Sequence, residues 1–439
     1  MRIFKKSPKT NAVLVRRSKM FTFNVTSDAC VKCGKCIPVC TIHEVNRDEV
    51  TSPRGFLDLL GAYQRGDLEL DKNAKNIFES CFLCTNCVDV CPNDLPVDML
   101  IEQVRNDIRQ KYGLAWYKKL AFFLLRNRKI MDVMAKFGYM FQTCGFKMVE
   151  KQSSMYLRNF PIIKLDRLFP SLAKKSFLNS HPDVIYNGGK GKVGIFIGCL
   201  ANYMYTDIGK ALLEILKALE IDAYLIKQQK CCGAPSYFTG DFDSVDALAK
   251  FNIEYIESFK DELDAIIIPE ATCSAMIKED YAHFFHNQPE WKKRAEAIKP
   301  HIFMATEYLE KKTNLAQLLA TKAKQTDSVT YHDPCHARKM QKIFKEPRNL
   351  ISQNYVIKEM SDPNRCCGFG GVTMQTEKYR FAKAAGLPKA AMIKETGAQF
   401  VSAECSACRM QLGDAMHGQK VDVIFKNPIE LIAKALREE

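Results

Sequence analysis

Residues 30–40 read Cys-Val-Lys-Cys-Gly-Lys-Cys-Ile-Pro-Val-Cys, and residues 81–91 read Cys-Phe-Leu-Cys-Thr-Asn-Cys-Val-Asp-Val-Cys, followed by Pro92. Both runs have the spacing C-x2-C-x2-C-x3-C. Three thiolates this close fit three corners of an iron–sulfur cubane, while the fourth cysteine starts a helical turn aimed at the other cluster. Cys30, Cys33, Cys36 and Cys91 are therefore expected to hold one [4Fe–4S] cluster, and Cys81, Cys84, Cys87 and Cys40 the other. A zinc site needs two C-x2-C pairs and leaves the third and fourth cysteines of each run without a role. The crossed assignment makes one pseudo-symmetric unit of the two segments, with its clusters close enough for electron tunnelling.

Between the runs lies an insert, Thr41–Ser80. Its segment Thr-Ser-Pro-Arg-Gly (51–55) reads as a turn before an apolar, helical stretch. The expected domain is thus a helix-elaborated dicluster fold.

The second half of the chain repeats itself. Cys199 recurs as Cys335, Cys231-Cys232-Gly233 as Cys366-Cys367-Gly368, and Cys273 as Cys408. The offsets are 136, 135, 135 and 135 residues, so independent positions agree on one period. In the first copy, Val193–Ile197, Ala223–Ile226 and Ala265–Pro269 read as strands and Ile208–Leu219 as helix. In the second, Ser328–Tyr331 and Phe400–Ser402 read as strands and Tyr379–Lys394 as helix. Short apolar strands between helices predict a parallel sheet in each copy. The cysteines fall just beyond strand ends, where open α/β sheets bind ligands.

The second copy has five cysteines, Cys335, Cys366, Cys367, Cys405 and Cys408, which can cap different irons of one further cluster. Gly368, Gly370 and Gly371 permit the tight backbone such a site needs. The first copy keeps Cys199, Cys231, Cys232 and Cys273, but Glu270 stands where the period would place the partner of Cys405. A carboxylate is a harder and poorer ligand than a thiolate, so the first site is differently ligated, weaker or empty. His332 and His336 flank Cys335, either to tune a cluster or simply to pack. Cys144 has no partner motif and is not expected to be a ligand.

The 439 residues, 47% hydrophobic and 26% charged, are those of a folded chain of two to four domains. Eighteen cysteines without a secretory signal point to metal ligands rather than disulfides. Residues 1–20 carry seven basic side chains, but no apolar region follows them, and Arg16-Arg17 makes only a weak export motif. No run of 18 apolar residues occurs, so membrane contact would be peripheral or through a partner. Residues 111–180 hold fourteen Lys or Arg against three acids, most of the chain's net +14, and are rich in aromatics and Met. Such a segment fits an anionic membrane surface. A solvated helical linker is the plainer reading of it, and no nucleic-acid-binding fold accompanies the charge.

Taken with Gly-Cys-Leu-Ala-Asn-Tyr (198–203), Lys-Cys-Cys-Gly-Ala-Pro (230–235), Tyr-His-Asp-Pro-Cys-His (331–336) and Cys-Ser-Ala-Cys (405–408), the dicluster runs carry a family resemblance. From Cys30 to its C-terminal helix, the chain resembles the iron–sulfur subunits of respiratory flavin-linked dehydrogenases. These are the iron–sulfur subunits of anaerobic glycerol-3-phosphate dehydrogenase and of glycolate oxidase, within the heterodisulfide-reductase-like CCG proteins. The 198–203 motif and Glu270 are closer to the first, and Ser-Pro-Arg-Gly (52–55) to the second. The resemblance implies an electron-transfer subunit rather than a stand-alone enzyme. A flavoprotein partner would oxidise glycerol 3-phosphate, glycolate or lactate, and electrons would pass toward the quinone pool or a membrane subunit. It also implies that the five-cysteine copy can hold a noncubane [4Fe–4S] cluster, and that the protein sits in the cytoplasm, peripheral on the inner face of the cytoplasmic membrane. The alternative is a catalyst that reduces a disulfide or quinone at its C-terminal cluster. The chain has no Gly-rich dinucleotide fingerprint to seat a flavin or nicotinamide, which favours the relay.

The expectation is therefore an α+β multidomain chain. A helical dicluster ferredoxin-type domain would span residues 1–110, a basic helical linker 111–190, and two duplicated α/β cysteine-rich CCG domains 191–320 and 321–439.

Overall fold

The computed structural model describes residues 22–149, 153–157 and 167–437. The basic N-terminus with Arg16-Arg17 lies outside them, as do Lys151, Arg158 and Lys164 of the basic segment. The described chain separates into two units. One comprises the chain up to Gly113 with the short segments Phe238–Gly240 and Gly370–Phe381, and the other holds the remainder.

The first unit is helical. Its helices are α1 (Phe23–Asp28), α2 (Thr41–Asn46), α3 (Pro53–Arg65), α4 (Lys72–Phe78), α5 (Asn86–Asp89) and α6 (Val97–Tyr112). The sequence placed a turn at residues 51–55, but Pro53 is the first residue of α3 and Gly55 lies in its first turn. Proline suits that position because its missing N–H would have no helical partner there. Ser52 caps the helix by accepting from the Gly55 amide at 3.0 Å. Gly55 is needed for space, since an added Cβ would sit 2.2 Å from the Glu49 carbonyl oxygen.

Helix α6 buries Val97, Leu100, Ile101, Val104 and Ile108, an apolar stripe of helical period. Arg105 lies in the same stripe, 2% exposed. It donates to the carbonyls of Phe78, of Cys81 at 2.7 Å and of Phe238 at 2.7 Å.

The second unit opens with two helices, α7 (Trp116–Arg126) and α8 (Arg128–Gly145). Among the described residues of 111–190, helix then gives way to strands, apart from a single 3-10 turn at Leu178–Ser180, which corrects the expectation of a wholly helical linker. Strands β1 (Phe146–Val149), β2 (Ser154–Leu157) and β3 (Leu168–Pro170) follow as an antiparallel sheet in the order β1-β2-β3.

The rest is a duplicated α/β fold. Its first copy comprises β4 (Val184–Ile185), β5 (Lys192–Ile195), α9 (Cys199–Tyr203), α10 (Asp207–Ala218), β6 (Asp222–Leu225), β7 (Ala265–Ile268), α11 (Ala271–Ala275) and β8 (Ile302–Met304). The second comprises β9 (Ser328–Tyr331), β10 (Val356–Ile357), α12 (Tyr379–Glu395), β11 (Phe400–Ser402), α13 (Ser406–Gly418), β12 (Ile424–Lys426) and α14 (Pro428–Arg437). The sheet orders are β4-β6-β5-β7-β8 and β10-β9-β11-β12. Without β4, which pairs antiparallel at the edge, the two orders are the same and every pairing is parallel. Strands β7 and β9 are buried along their whole length, and β7 accordingly reads as an unbroken apolar run, Ala265–Ile268. The copies share one core, where Ile195, Leu212 and Ile267 of the first meet Val329, Tyr331 and Ile432 of the second.

Replacing Arg105 by Met is expected to strand three carbonyls and cost about 2–4 kcal/mol. The check is a lowered melting temperature with loss of the N-terminal clusters' visible absorbance. Arg105→Lys should recover only part, because one ammonium cannot reproduce the guanidinium fork.

Candidate metal centres

The two N-terminal cysteine runs share one backbone design. Lys32 and Gly34 have φ of 51° and 75°, and at the same places in the second run Leu83 and Thr85 have 51° and 57°. Left-handed residues alternating with cysteines turn successive amides inward around sulfur. The Leu83 amide lies 3.4 Å from Cys81 Sγ. For Leu83 and Thr85 this conformation costs roughly 1–2 kcal/mol each, so the sulfur cradle is held against local preference.

Cys30, Cys33, Cys36 and Cys91 line one hollow, and Cys40, Cys81 and Cys84 line another; Cys87 borders both. Burial pushes the Cys36 thiol up, helped by Cys30, Cys91 and Cys33. Burial likewise raises Cys87, which feels Cys81, Cys84 and Cys40, and Cys81, which is pushed up to about 12 despite the nearby Arg105. The structure thus brings Cys91 to the first run and Cys40 to the second. None of the eighteen cysteines is joined in a disulfide. Each hollow gathers soft sulfur donors in one small space, a donor set that fits an iron–sulfur cluster.

In both CCG copies the cysteines follow the C-terminal ends of parallel strands. Gly233 and Gly368 have φ of 94° and 90°, and their amides lie 3.5 and 3.4 Å from Cys231 Sγ and Cys366 Sγ. In the first copy Cys199, Cys231, Cys232 and Cys273 form a chain of sulfur contacts. The hydrogen bond to Cys231, then burial, holds Cys199 well above the ordinary thiol range. Gly198 (φ 75°) packs close to this site, since an added Cβ would come 3.0 Å from Cys273 Sγ.

In the second copy Cys367 and Cys408 sulfurs are 3.4 Å apart. Cys405 is lowered by a hydrogen bond from Cys408, whose amide also points at it from 3.4 Å. Cys335 and Cys366 complete the group, acting on Cys367 by charge and by a hydrogen bond respectively. His336 Nδ1 lies 3.3 Å from Cys335 Sγ. His332 is fully buried, with a ring nitrogen, Cys367 Sγ and Cys408 Sγ all within 4.8 Å of one another. Cys144 is exposed at the end of α8.

Glu270 does not simply replace a cysteine. Its buried carboxylate accepts from the amide of Ser406 at 2.8 Å and from the Ser406 hydroxyl, at the start of α13, the helix that carries Cys408. Burial raises its carboxyl to about 7 against these hydrogen bonds. The contact is reciprocal: the Ala271 amide donates to the Glu404 carbonyl at 2.8 Å, and Thr272 Oγ1 lies 3.6 Å from Cys405 Sγ. The Glu404 side chain, pushed up to about 8 by burial, accepts from the Thr306 amide at 3.2 Å and from its hydroxyl. Sequence reasoning did not single out Glu404 or Thr272. Their only signal was position, directly beside Cys405 and Cys273.

The comparisons with known proteins agree with this architecture. The 4Fe–4S dicluster domain matches residues 26–95, and the cysteine-rich CCG domain matches residues 193–278 and again 329–413. A Bacillus subtilis protein named as a probable glycolate oxidase iron–sulfur subunit is 29% identical over 396 residues, 87% of each chain. A CoM/CoB fumarate reductase polypeptide of Methanothermobacter marburgensis is 26% identical over 418 residues, 93% of this chain and 72% of that one. Lactate utilization protein A of Bacillus cytotoxicus is 29% identical over 238 residues, 53% of this chain and 95% of that one. A crystal structure of a hypothetical Helicobacter pylori protein shares the fold with a TM-score of 0.51 at 10% identity, covering 98% of this chain and 76% of that one.

Glu270→Ala is expected to leave the buried Ser406 amide unsatisfied, at a cost of about 1–3 kcal/mol. Thermal melting should fall by several degrees, and the purified chain should retain less iron. Glu270→Gln keeps an acceptor for that amide and should restore most of both.

Proposed function

Because the chain belongs with the iron–sulfur proteins that join a 4Fe–4S dicluster domain to two CCG domains, we propose that it is the electron-transfer subunit of a flavin-linked dehydrogenase. A flavoprotein partner oxidises a small hydroxylated metabolite, and this chain carries the electrons toward the quinone pool. The observation that carries the reading is the set of three complete sulfur-donor groups in a chain without a dinucleotide fingerprint. Among the candidate metabolites, 2-hydroxy acids are favoured, since two of the relatives are named for glycolate and lactate.

Cys30, Cys33, Cys36 and Cys91 would hold one [4Fe–4S] cluster, and Cys81, Cys84, Cys87 and Cys40 a second. Cys335, Cys366, Cys367, Cys405 and Cys408 would hold a third, of noncubane type; Cys199, Cys231, Cys232 and Cys273 are the weaker candidate. Bound clusters supply one-electron storage and transfer. The chain's own part is to gather the thiolates, to keep water away, and to aim amides at sulfur (Leu83 on Cys81, Gly368 on Cys366, Cys408 on Cys405). Such N–H···S contacts stabilise negative charge and so favour the reduced state.

The hairpin of α7 and α8 supports a position on the inner face of the cytoplasmic membrane. Among the described residues no helix is long and apolar enough to cross a bilayer. Yet Trp116, Leu120, Phe123, Ile130, Val133, Met134, Phe137, Met140 and Phe141 are all exposed, from 43% at Ile130 to 76% at Trp116. They recur at helical spacing and are interleaved with exposed Lys119, Arg126, Lys129 and Lys136. An apolar stripe with a basic rim suits the headgroup layer of an anionic bilayer, where each basic residue contributes about 1 kcal/mol.

A second reading, direct reduction of a disulfide or quinone at the Cys335–Cys408 group, is favoured by the likeness to the CoM/CoB fumarate reductase polypeptide. Cys366→Ser with Cys367→Ser separates the two: a relay keeps flavin reduction in its partner, while a catalyst loses turnover with artificial donors.

Anaerobically purified chain is expected to contain about twelve irons, four for each complete group, and to oxidise neither glycolate nor lactate without a flavoprotein. Oxidation by the chain alone would overturn the relay. In flotation assays it should bind anionic vesicles and not zwitterionic ones. Changing Lys119, Lys129 and Lys136 to Gln should weaken binding by about 3 kcal/mol, roughly a hundredfold.

A further inference from the structure

His332 directly follows strand β9, with its backbone amide fixed on the Ser402 carbonyl at 2.9 Å. Its side chain is fully buried, and neither ring nitrogen makes a hydrogen bond. A buried polar group left in that state costs roughly 1–3 kcal/mol. The fold does not require that cost. With the period of 136 residues that relates Cys199 to Cys335, the counterpart of His332 is Phe196, equally buried at the end of the same sheet position. An apolar ring therefore suits this place in the copy with the depleted cysteine set, and an imidazole stands in the copy with the full set.

The imidazole also has a target. One of its nitrogens lies within 4.8 Å of both Cys367 Sγ and Cys408 Sγ. Metal bonds of about 2.0 Å to nitrogen and 2.3 Å to sulfur let one ion bridge atoms little closer than this. The Pro363 carbonyl lies near the ring, outside hydrogen-bond geometry. A ligating histidine ordinarily turns its second nitrogen to such a carbonyl.

We propose that His332 is a nitrogen ligand of the metal centre in the second CCG copy, bonding an iron beside Cys367 and Cys408. The inference deepens the cluster assignment made above and rests on that copy holding iron. His336 is not part of it, because its ring is already engaged beside Cys335.

The test is pulsed EPR on the full chain, labelled with 15N-histidine and purified anaerobically, with iron counted on the same sample. The expected result is the strong nitrogen coupling of a directly bonded imidazole on the C-terminal cluster's signal. That coupling should vanish in His332→Phe and persist in His336→Ala. His332→Phe copies the residue that the first copy carries, so it should melt near the wild-type temperature. The labelled wild-type chain decides the question even if the variant does not fold. A C-terminal cluster signal with only weak, through-space nitrogen coupling would overturn the ligand assignment and leave the relay intact. About eight irons and no such signal would overturn both the ligand and the third cluster.

Discussion

The convergence of buried sulfur is the constraint on which the rest of this chain depends. Burial resists thiol ionisation, and Cys40, Cys81 and Cys87 are all held above the ordinary range for that reason. The metal must supply the energy that gathers such groups as thiolates, but the backbone must supply the geometry. It does so with left-handed residues at matched places, Lys32 and Gly34 in one run, Leu83 and Thr85 in the other. Helices α3 and α6 pack on each other and bury Leu57, Leu60, Leu100 and Val104, and the fourth cysteine of each run reaches the hollow of the other.

The same solution appears in another form in the CCG copies. There the sulfur donors sit on loops beyond parallel strands, and the strands' buried apolar runs keep the loop bases from moving. The shared core makes the two copies one body, and the contacts between their motif helices extend that union to the metal-binding ends. Glu270 shows how this works. A residue standing in a ligand's place in one copy has become the acceptor for the first amide of the helix that carries Cys408 in the other. Loss of a ligand in the first copy and order in the second are thus one structural fact.

Much of this was legible in the sequence. The two cysteine runs, the period of the duplication, and the parallel sheets follow from spacing and from apolar runs such as Ala265–Ile268. What could not be read was anything that depends on a partner distant along the chain. The turn expected at residues 51–55 is an exception of local origin: Ser52 is the cap and Pro53 the first residue of α3. The linker's strands rest on pairing between Phe146–Val149 and Ser154–Leu157, which no periodicity within either segment specifies. Arg105 looks like a surface cation in an amphipathic helix, and only the fold brings the Cys81 and Phe238 carbonyls to it. The outward-facing apolar stripe of α7 and α8 was visible as composition, but its direction was not.

The asymmetry between the copies carries the most functional information. A duplicated domain starts with two equal sites, and substitutions that neither fold nor stability demands record a division of labour. The first copy has Glu270 and Phe196 where the second has Cys405 and His332. Each of these differences moves the second site toward more soft or nitrogen donors and the first toward none. Gathering an unpartnered buried imidazole, four buried thiols and a half-buried fifth in one small volume is expensive in a metal-free protein, and the first copy, with Phe196 and Glu270, does without part of that expense. The donor set of the second copy, rich in sulfur with one buried imidazole, suits a redox metal centre better than a packing core.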